Sequence, residues 1–169
     1  MRAVEEEAET QIARARFAVY GEKLYPDATG TLRLATGKVA GYPAATTLVP
    51  PFTTFYGLYD RALGFGEQNE FKLTDRQREK RGALDLSCML NFVCTADITG
   101  GNSGSPVVDR DGKLVGLAFD GNQTSHANRF VYSETDARCV CVDVRGIMQA
   151  LAKLYDAQLL VDELMAGAK

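Results

Sequence analysis

Thr99-Gly100-Gly101-Asn102-Ser103-Gly104-Ser105-Pro106, followed at once by the apolar pair Val107-Val108, decides how this chain is read. Gly100 and Gly101 permit backbone conformations that a Cβ would forbid, so the stretch is expected to end one strand, bend tightly and start another. Ser103, flanked by Asn102 and Gly104, then sits at the apex of the bend, where consecutive backbone N–H groups can point into one space. A hydroxyl beside pre-aimed donors is the local chemistry of a serine nucleophile and its oxyanion hole. The same composition also makes ordinary Gly/Ser hairpin turns, so the string alone leaves both readings open.

The 169 residues suit one domain with a sizeable core. A net charge of −3, with 46% hydrophobic and 24% charged residues, is the balance of a globular protein and gives no sign of a nucleic-acid or membrane partner. The charged runs Glu5-Glu6-Glu7 and Arg76-Gln77-Arg78-Glu79-Lys80-Arg81 read as solvated faces. No segment approaches the roughly 20 apolar residues that span a bilayer. Met1-Arg2-Ala3-Val4 leads straight into the glutamates without an apolar export signal, so a soluble chain without a leader is expected.

Four cysteines occur, Cys88, Cys94, Cys139 and Cys141, with a single histidine, His126. Their spacing fits no standard zinc framework. Cys139 and Cys141 alternate with Val140 and Val142 and read as small hydrophobes on one face of a strand, with a disulfide or a metal as the lesser alternatives. No metal or cofactor is expected.

Taken in order, residues 4 to 19 carry an apolar stripe, Val4, Ala8, Ile12, Ala15 and Val19, at helical spacing. Glutamates crowd its start and Arg14 and Arg16 its end, as the helix dipole favours. An uncapped helix with a face wanting burial is what a segment cut from a longer protein would present. Tyr25-Pro26-Asp27 is a turn signal, and residues 31–35 and 38–42 read as a strand pair. Residues 43–51 read as an irregular connection, 52–63 as aromatic but without a period, and 74–80 as a short helix. The run 84–95 reads as a strand half-buried in a core. Ser105–Val108, then the Asp109-Arg110-Asp111-Gly112 turn, then Leu114–Phe119 read as a hairpin. Further strands are expected at 130–133 and 138–144, and a helical end carries Ile147, Leu151, Leu154, Leu159, Leu160 and Leu164. The expected class is mainly β with flanking helices, an antiparallel barrel or sandwich lobe.

Gly-Asn-Ser-Gly-Ser-Pro, entered from a strand and followed by a hairpin, resembles the nucleophile motif of chymotrypsin-fold serine peptidases. Within that clan, Asp97–Val107 together with Gly116-Leu117-Ala118-Phe119-Asp120-Gly121-Asn122 resembles the bacterial dipeptidyl-peptidase 7 and 11 family, serine peptidase family 46. Tyr25–Thr29 with Thr31–Leu34 and Gly37–Val39 resembles it too, as does Val142-Asp143-Val144-Arg145 leading into the final helix. The resemblance runs from the first helix to the last.

It implies residues 1–20 as the end of an inserted helical domain, and 21–169 as the C-terminal β-barrel lobe of a chymotrypsin-like double barrel with a C-terminal helix. It implies a hydrolase, a serine-type dipeptidyl aminopeptidase that releases dipeptides from peptide N-termini. Ser103 matches the nucleophile, and the backbone N–H groups of Gly101 and Ser103 match the oxyanion hole, worth about 3 kcal/mol per donor in comparable sites. Asp120 matches the carboxylate that holds the substrate's α-amino group, a charge-assisted contact. Gly121 matches the position that shapes the first specificity pocket. Glycine there goes with apolar preference in the family, and arginine with preference for Asp or Glu.

The chain departs from the family in one respect, because the triad histidine and aspartate of such enzymes fall outside this sequence. His126 lies in a polar loop that does not supply the base, and Asp97 and Asp143 suit hydrogen bonding near strand ends. The implied partners are peptides with a free N-terminus and the missing N-terminal catalytic lobe, with a homodimer as a further candidate. A periplasmic or cell-surface location follows from the resemblance alone. Two rivals stand beside this reading: a glutamyl-endopeptidase-like protease of the same clan, and a peptide-binding module without catalysis. Without its base the chain by itself is expected to be inactive.

Overall fold

The computed structural model describes residues 2–21, 32–129 and 132–167. The chain divides into two compact units, residues 1–34 and 35–169. The first contains helix α1 (Arg2–Tyr20), as the stripe predicts. Val4, Ile12 and Val19 of that stripe are all exposed within this chain.

The second unit is built on antiparallel strands. A short hairpin pairs β1 (Tyr42–Ala44) with β2 (Thr47–Val49). The main sheet has five strands: β3 (Phe52–Thr54), β4 (Met89–Cys94), β5 (Pro106–Val108), β6 (Leu114–Gly121) and β7 (Cys139–Asp143). Their order is β3-β4-β7-β6-β5, so β4 and β7, distant in sequence, become central neighbours. The pairing sets Cys94 opposite Cys139 and Phe92 opposite Cys141. One sheet face buries Phe92, Cys94, Ala118, Cys139 and Cys141. In β7 burial alternates strictly, with Cys139, Cys141 and Asp143 inside, as a period of two demands. Among the described residues no pairing joins β3 to β5, so the sheet is open there and closure into a barrel is not observed.

Helices α2 (Phe55–Gly64), α3 (Asp75–Lys80), α4 (Val144–Gln149) and α5 (Gln158–Ala166) complete the unit. The starts of the first three have visible causes. The Thr54 hydroxyl accepts from the Gly57 amide, and Phe55, Tyr59 and Ala62 then fall on one buried face. Thr74 and Gln77 form a reciprocal capping box on α3. Asp143, buried at the end of β7, accepts from the Arg145 amide at 2.9 Å and turns the chain into α4. The same carboxylate takes both Arg145 Nε and Nη2, at 2.9 and 2.7 Å. Gly146 is required at this corner, since a Cβ there would come 2.8 Å from the Met89 carbonyl of β4. After a π-turn at Ala150–Leu154, Leu154 joins Phe55, Tyr59, Ala62, Leu73 and Leu84 in a second core cluster.

The structure corrects several sequence expectations. Residues 32–35 form no strand, and Val39 bridges Cys94 instead of pairing with them. Residues 43–51, read as irregular, hold most of the β1–β2 hairpin, and 52–63 hold β3 and α2. Strand β4 is confined to Met89–Cys94, because Asp85–Cys88 is a turn in which the Cys88 amide donates to the Asp85 carbonyl at 3.1 Å. The 123–129 loop is a 3-10 helix, and Tyr132 and Ser133 are not in a strand. The Tyr25-Pro26-Asp27 turn, Phe130 and Val131 lie outside the described residues.

A buried arginine holds these irregular segments to the sheet. Arg138 donates from Nε to the Ala40 carbonyl at 2.9 Å and from Nη2 to the Gly41 carbonyl at 2.7 Å. Its Nη1 donates to the carbonyls of Glu134 at 2.8 Å and Ala137 at 2.7 Å. A planar fork suits four such acceptors, whereas an ammonium does not. Arg138→Met is expected to lower stability by at least about 3 kcal/mol, since each bond from a charged donor contributes about 1.5–3 kcal/mol. Arg138→Lys should recover little of this. Urea unfolding checks both, and an unchanged midpoint for either variant would contradict the clamp.

Candidate active site

The 99–105 loop is closed by its own backbone. The Thr99 amide donates to Asn102 Oδ1 at 2.9 Å, and the Asn102 amide donates to the Thr99 carbonyl at 3.1 Å. The Ser105 amide donates to the Asn102 carbonyl at 2.9 Å. Gly101 and Gly104 adopt φ of +100° and +85°, a region that disfavours side chains and explains both glycines around Ser103. The loop is then fastened to β6: the Gly104 amide donates to the Ala118 carbonyl at 2.7 Å, and the Ala118 amide donates to the Ser105 carbonyl at 2.9 Å. Among the described residues the amides of Gly101 and Ser103 donate to no protein carbonyl or side chain, while the amides of Asn102, Gly104 and Ser105 are all committed. Ser103 itself is exposed.

Strand β6 answers with a bulge. Ala118 pairs with Cys141 but Asp120 pairs with Val140, so Phe119 is an extra residue in the ladder. The Phe119 carbonyl accepts the Ser103 hydroxyl at 3.2 Å. The bulge therefore brings together, on one rim, the hydroxyl of Ser103 and the strand residues Asp120 and Gly121. Asp120 is exposed, and its Oδ1 accepts the Gly121 amide at 2.7 Å, the local contact that a strand-end carboxylate makes.

Gly121 has a packing reason for being glycine. A Cβ there would collide with the Ser125 hydroxyl, which is held in place by donating to the Asn122 carbonyl at 2.7 Å. Asn122 organises the wall beyond it: its Oδ1 accepts the amides of Ser125 at 3.2 Å and Arg138 at 2.9 Å, and its Nδ2 donates to the Asp136 carbonyl at 2.7 Å. The sequence reading passed over Phe119, Asn122 and Ser125. The Asn-x-x-Ser spacing that starts the 3-10 helix was a legible signal for the last two. The bulge was not, because it depends on register with β7.

His126 is exposed on the 3-10 helix, and no contact joins it to Ser103. Asp143 is spent on Arg145 and the start of α4. Asp97 accepts from Asn128 Nδ2 at 3.3 Å; burial pushes its carboxyl above the ordinary value and that hydrogen bond holds it back. None of these groups supplies a base to Ser103. Surface hollows of about 340 and 520 Å³ lie against α2 and the 81–87 turn, and neither is lined by Ser103, Asp120 or Gly121. The rim is an open surface.

Comparison with known proteins agrees with the motif. The Peptidase S46 family model matches residues 1–166. The chain belongs to this family. It is 33% identical over 155 residues to dipeptidyl-peptidase 7 of Capnocytophaga gingivalis, covering 83% of this chain and 21% of that protein. It is 34% identical over 169 residues to an Asp/Glu-specific dipeptidyl-peptidase of Shewanella putrefaciens, covering 83% of this chain and 23% of that one. The crystal structure of Porphyromonas endodontalis DPP11 with the dipeptide Arg-Glu superposes with a TM-score of 0.74 at 28% identity, over 88% of this chain and 22% of that chain. The S46 chain described here thus spans about a fifth of the length of these relatives.

Gly121 and Ser125 should be energetically coupled. Gly121→Ala forces the Ser125 hydroxyl off the Asn122 carbonyl and is expected to lower stability by about 1 kcal/mol. Adding Ser125→Ala should then cost less than it does alone. Urea unfolding of the two single variants and the double variant measures the coupling, and strict additivity would contradict the contact.

Proposed function

We propose that this chain is the serine-bearing C-terminal segment of a dipeptidyl aminopeptidase that cuts by an acyl-enzyme route. The observation that carries this reading is the rim itself: Ser103 on a pinned loop, with the amides of Gly101 and Ser103 uncommitted, facing a bulged strand that ends in Asp120 and Gly121. Ser103 Oγ attacks the carbonyl of the second residue of a peptide, and the amides of Gly101 and Ser103 stabilise the oxyanion that forms. Asp120 accepts the substrate's α-ammonium group, which measures two residues from the free end and makes the enzyme release dipeptides.

Gly121 contributes no charge to the pocket for the second residue, so an apolar residue is preferred there. Overall identity does not separate the two preferences, since relatives of both names match about equally, at 33% and 34%. Glycine at position 121 supports the apolar reading. The five-stranded sheet is read as one lobe of a double barrel, with α1 leaving an inserted helical domain. The other lobe supplies the histidine and aspartate that Ser103 needs; that the relatives are several-fold longer supports this arrangement. Like those relatives' substrates, peptides with a free N-terminus are the partners; export to the periplasm or cell surface would give access to them.

Two arms test the reading on chromogenic dipeptide substrates. The 169-residue chain alone should turn over none above background, because loss of triad members costs on the order of 10⁴- to 10⁶-fold. Mixed or fused with the N-terminal part of a family member, it should cleave substrates with an apolar second residue, and Ser103→Ala should abolish this. Turnover by the chain alone would contradict the missing base. A complemented enzyme that acts only on Asp or Glu substrates would contradict the pocket.

A further inference from the structure

The sheet core contains a group of side chains that the peptidase chemistry does not use. Cys94, Cys139 and Cys141 are all buried, and their sulfur atoms lie within 4.8 Å of one another. Cys139 and Cys141 share a face of β7 because they are two residues apart, with sulfurs 3.5 Å apart. The third sulfur arrives from β4 because Cys94 is the register partner of Cys139. Spacing rules miss such a set, since its members come from two strands joined only by the fold.

A buried cation stands near the cluster. Arg138, next to Cys139, is buried and gives its donors to four main-chain carbonyls. Among the described residues no carboxylate lies within ion-pairing distance of it, so a buried cation sits beside the thiols without an anionic partner.

We propose that Cys94, Cys139 and Cys141 form a buried trigonal thiolate site for a thiophilic monovalent metal ion, Cu(I). The dimensions fit: with metal–thiolate bonds of about 2.3 Å, three sulfurs around one ion lie about 4 Å apart. The ligand type and number select the ion. Soft thiolates suit Cu(I), whereas structural zinc takes four ligands, and no fourth cysteine, histidine or carboxylate joins the group among the described residues. The thiols lose protons as the ion binds, and the Arg138 guanidinium offsets part of the negative charge that results. The ion would tie β4 to β7 at the centre of the sheet. Because the site is closed to solvent, it loads as the chain folds.

The test is to produce the chain in copper-supplemented medium, purify it anaerobically under reducing conditions, and desalt it in the presence of bicinchoninate, a competing Cu(I) chelator. About one copper per chain should remain, and X-ray absorption should show a shell of sulfur atoms only, three in number. Cys94→Ser and Cys141→Ser should each cut retention by more than the roughly 10- to 100-fold that losing an outer-shell partner costs, while Cys88→Ser leaves it unchanged. The absorption spectrum of the unsubstituted chain decides the matter even if the serine variants fail to fold. Copper lost to the chelator, a shell containing nitrogen or oxygen, retention that depends on Cys88, or a Cys94–Cys139 disulfide in the protein as isolated would each overturn the proposal.

Discussion

The candidate site depends on a pair of hydrogen bonds, Gly104 amide to Ala118 carbonyl and Ala118 amide to Ser105 carbonyl, that fix the serine loop to β6. They act immediately before the bulge at Phe119, so loop and bulge are held in one register. Remove the bulge and the strand would present Asp120 and Gly121 on opposite faces from those they now occupy, since a one-residue slip inverts a strand's pattern. The Phe119 carbonyl would also leave the Ser103 hydroxyl. The positions of Ser103, Asp120 and Gly121 are therefore one geometric fact rather than three.

That geometry is in turn secured from behind. Strand β6 is held by β7, β7 by β4, and the start of β7 by Arg138, whose guanidinium gathers the carbonyls of residues 40, 41, 134 and 137. Asn122 connects the two systems, because it closes β6 and receives the Arg138 amide. A site resting on strands and pinned turns can keep its donors aimed without help from a ligand, which is what electrostatic stabilisation of a developing oxyanion requires.

Much of this was legible in the sequence where local chemistry decides the outcome. Gly100 and Gly101 announced a tight turn, with positive φ falling at Gly101 and Gly104; residues 74–80 announced a short helix, and the Cys-Val-Cys-Val alternation announced a half-buried strand. What long-range pairing decides was not legible. Residues 32–35 alternate like a strand yet remain outside the sheet, and Val39, not they, bridges the end of β4 at Cys94. The reason for Gly121 was only half visible: the family pattern pointed to the pocket, while the contact with Ser125 emerged from the fold. The thiol cluster shows the same limit, since Cys94 and Cys139 meet only through register.

The central claim is that Ser103, Asp120 and the Gly101 and Ser103 amides act together on the end of a peptide. A crystal structure of the complemented enzyme inactivated with a dipeptidyl phosphonate tests this most directly. The account predicts phosphorus bonded to Ser103 Oγ, a phosphonyl oxygen on the amides of Gly101 and Ser103, and the inhibitor's α-ammonium group on Asp120. An adduct at another residue, or an ammonium group held away from Asp120, would contradict it.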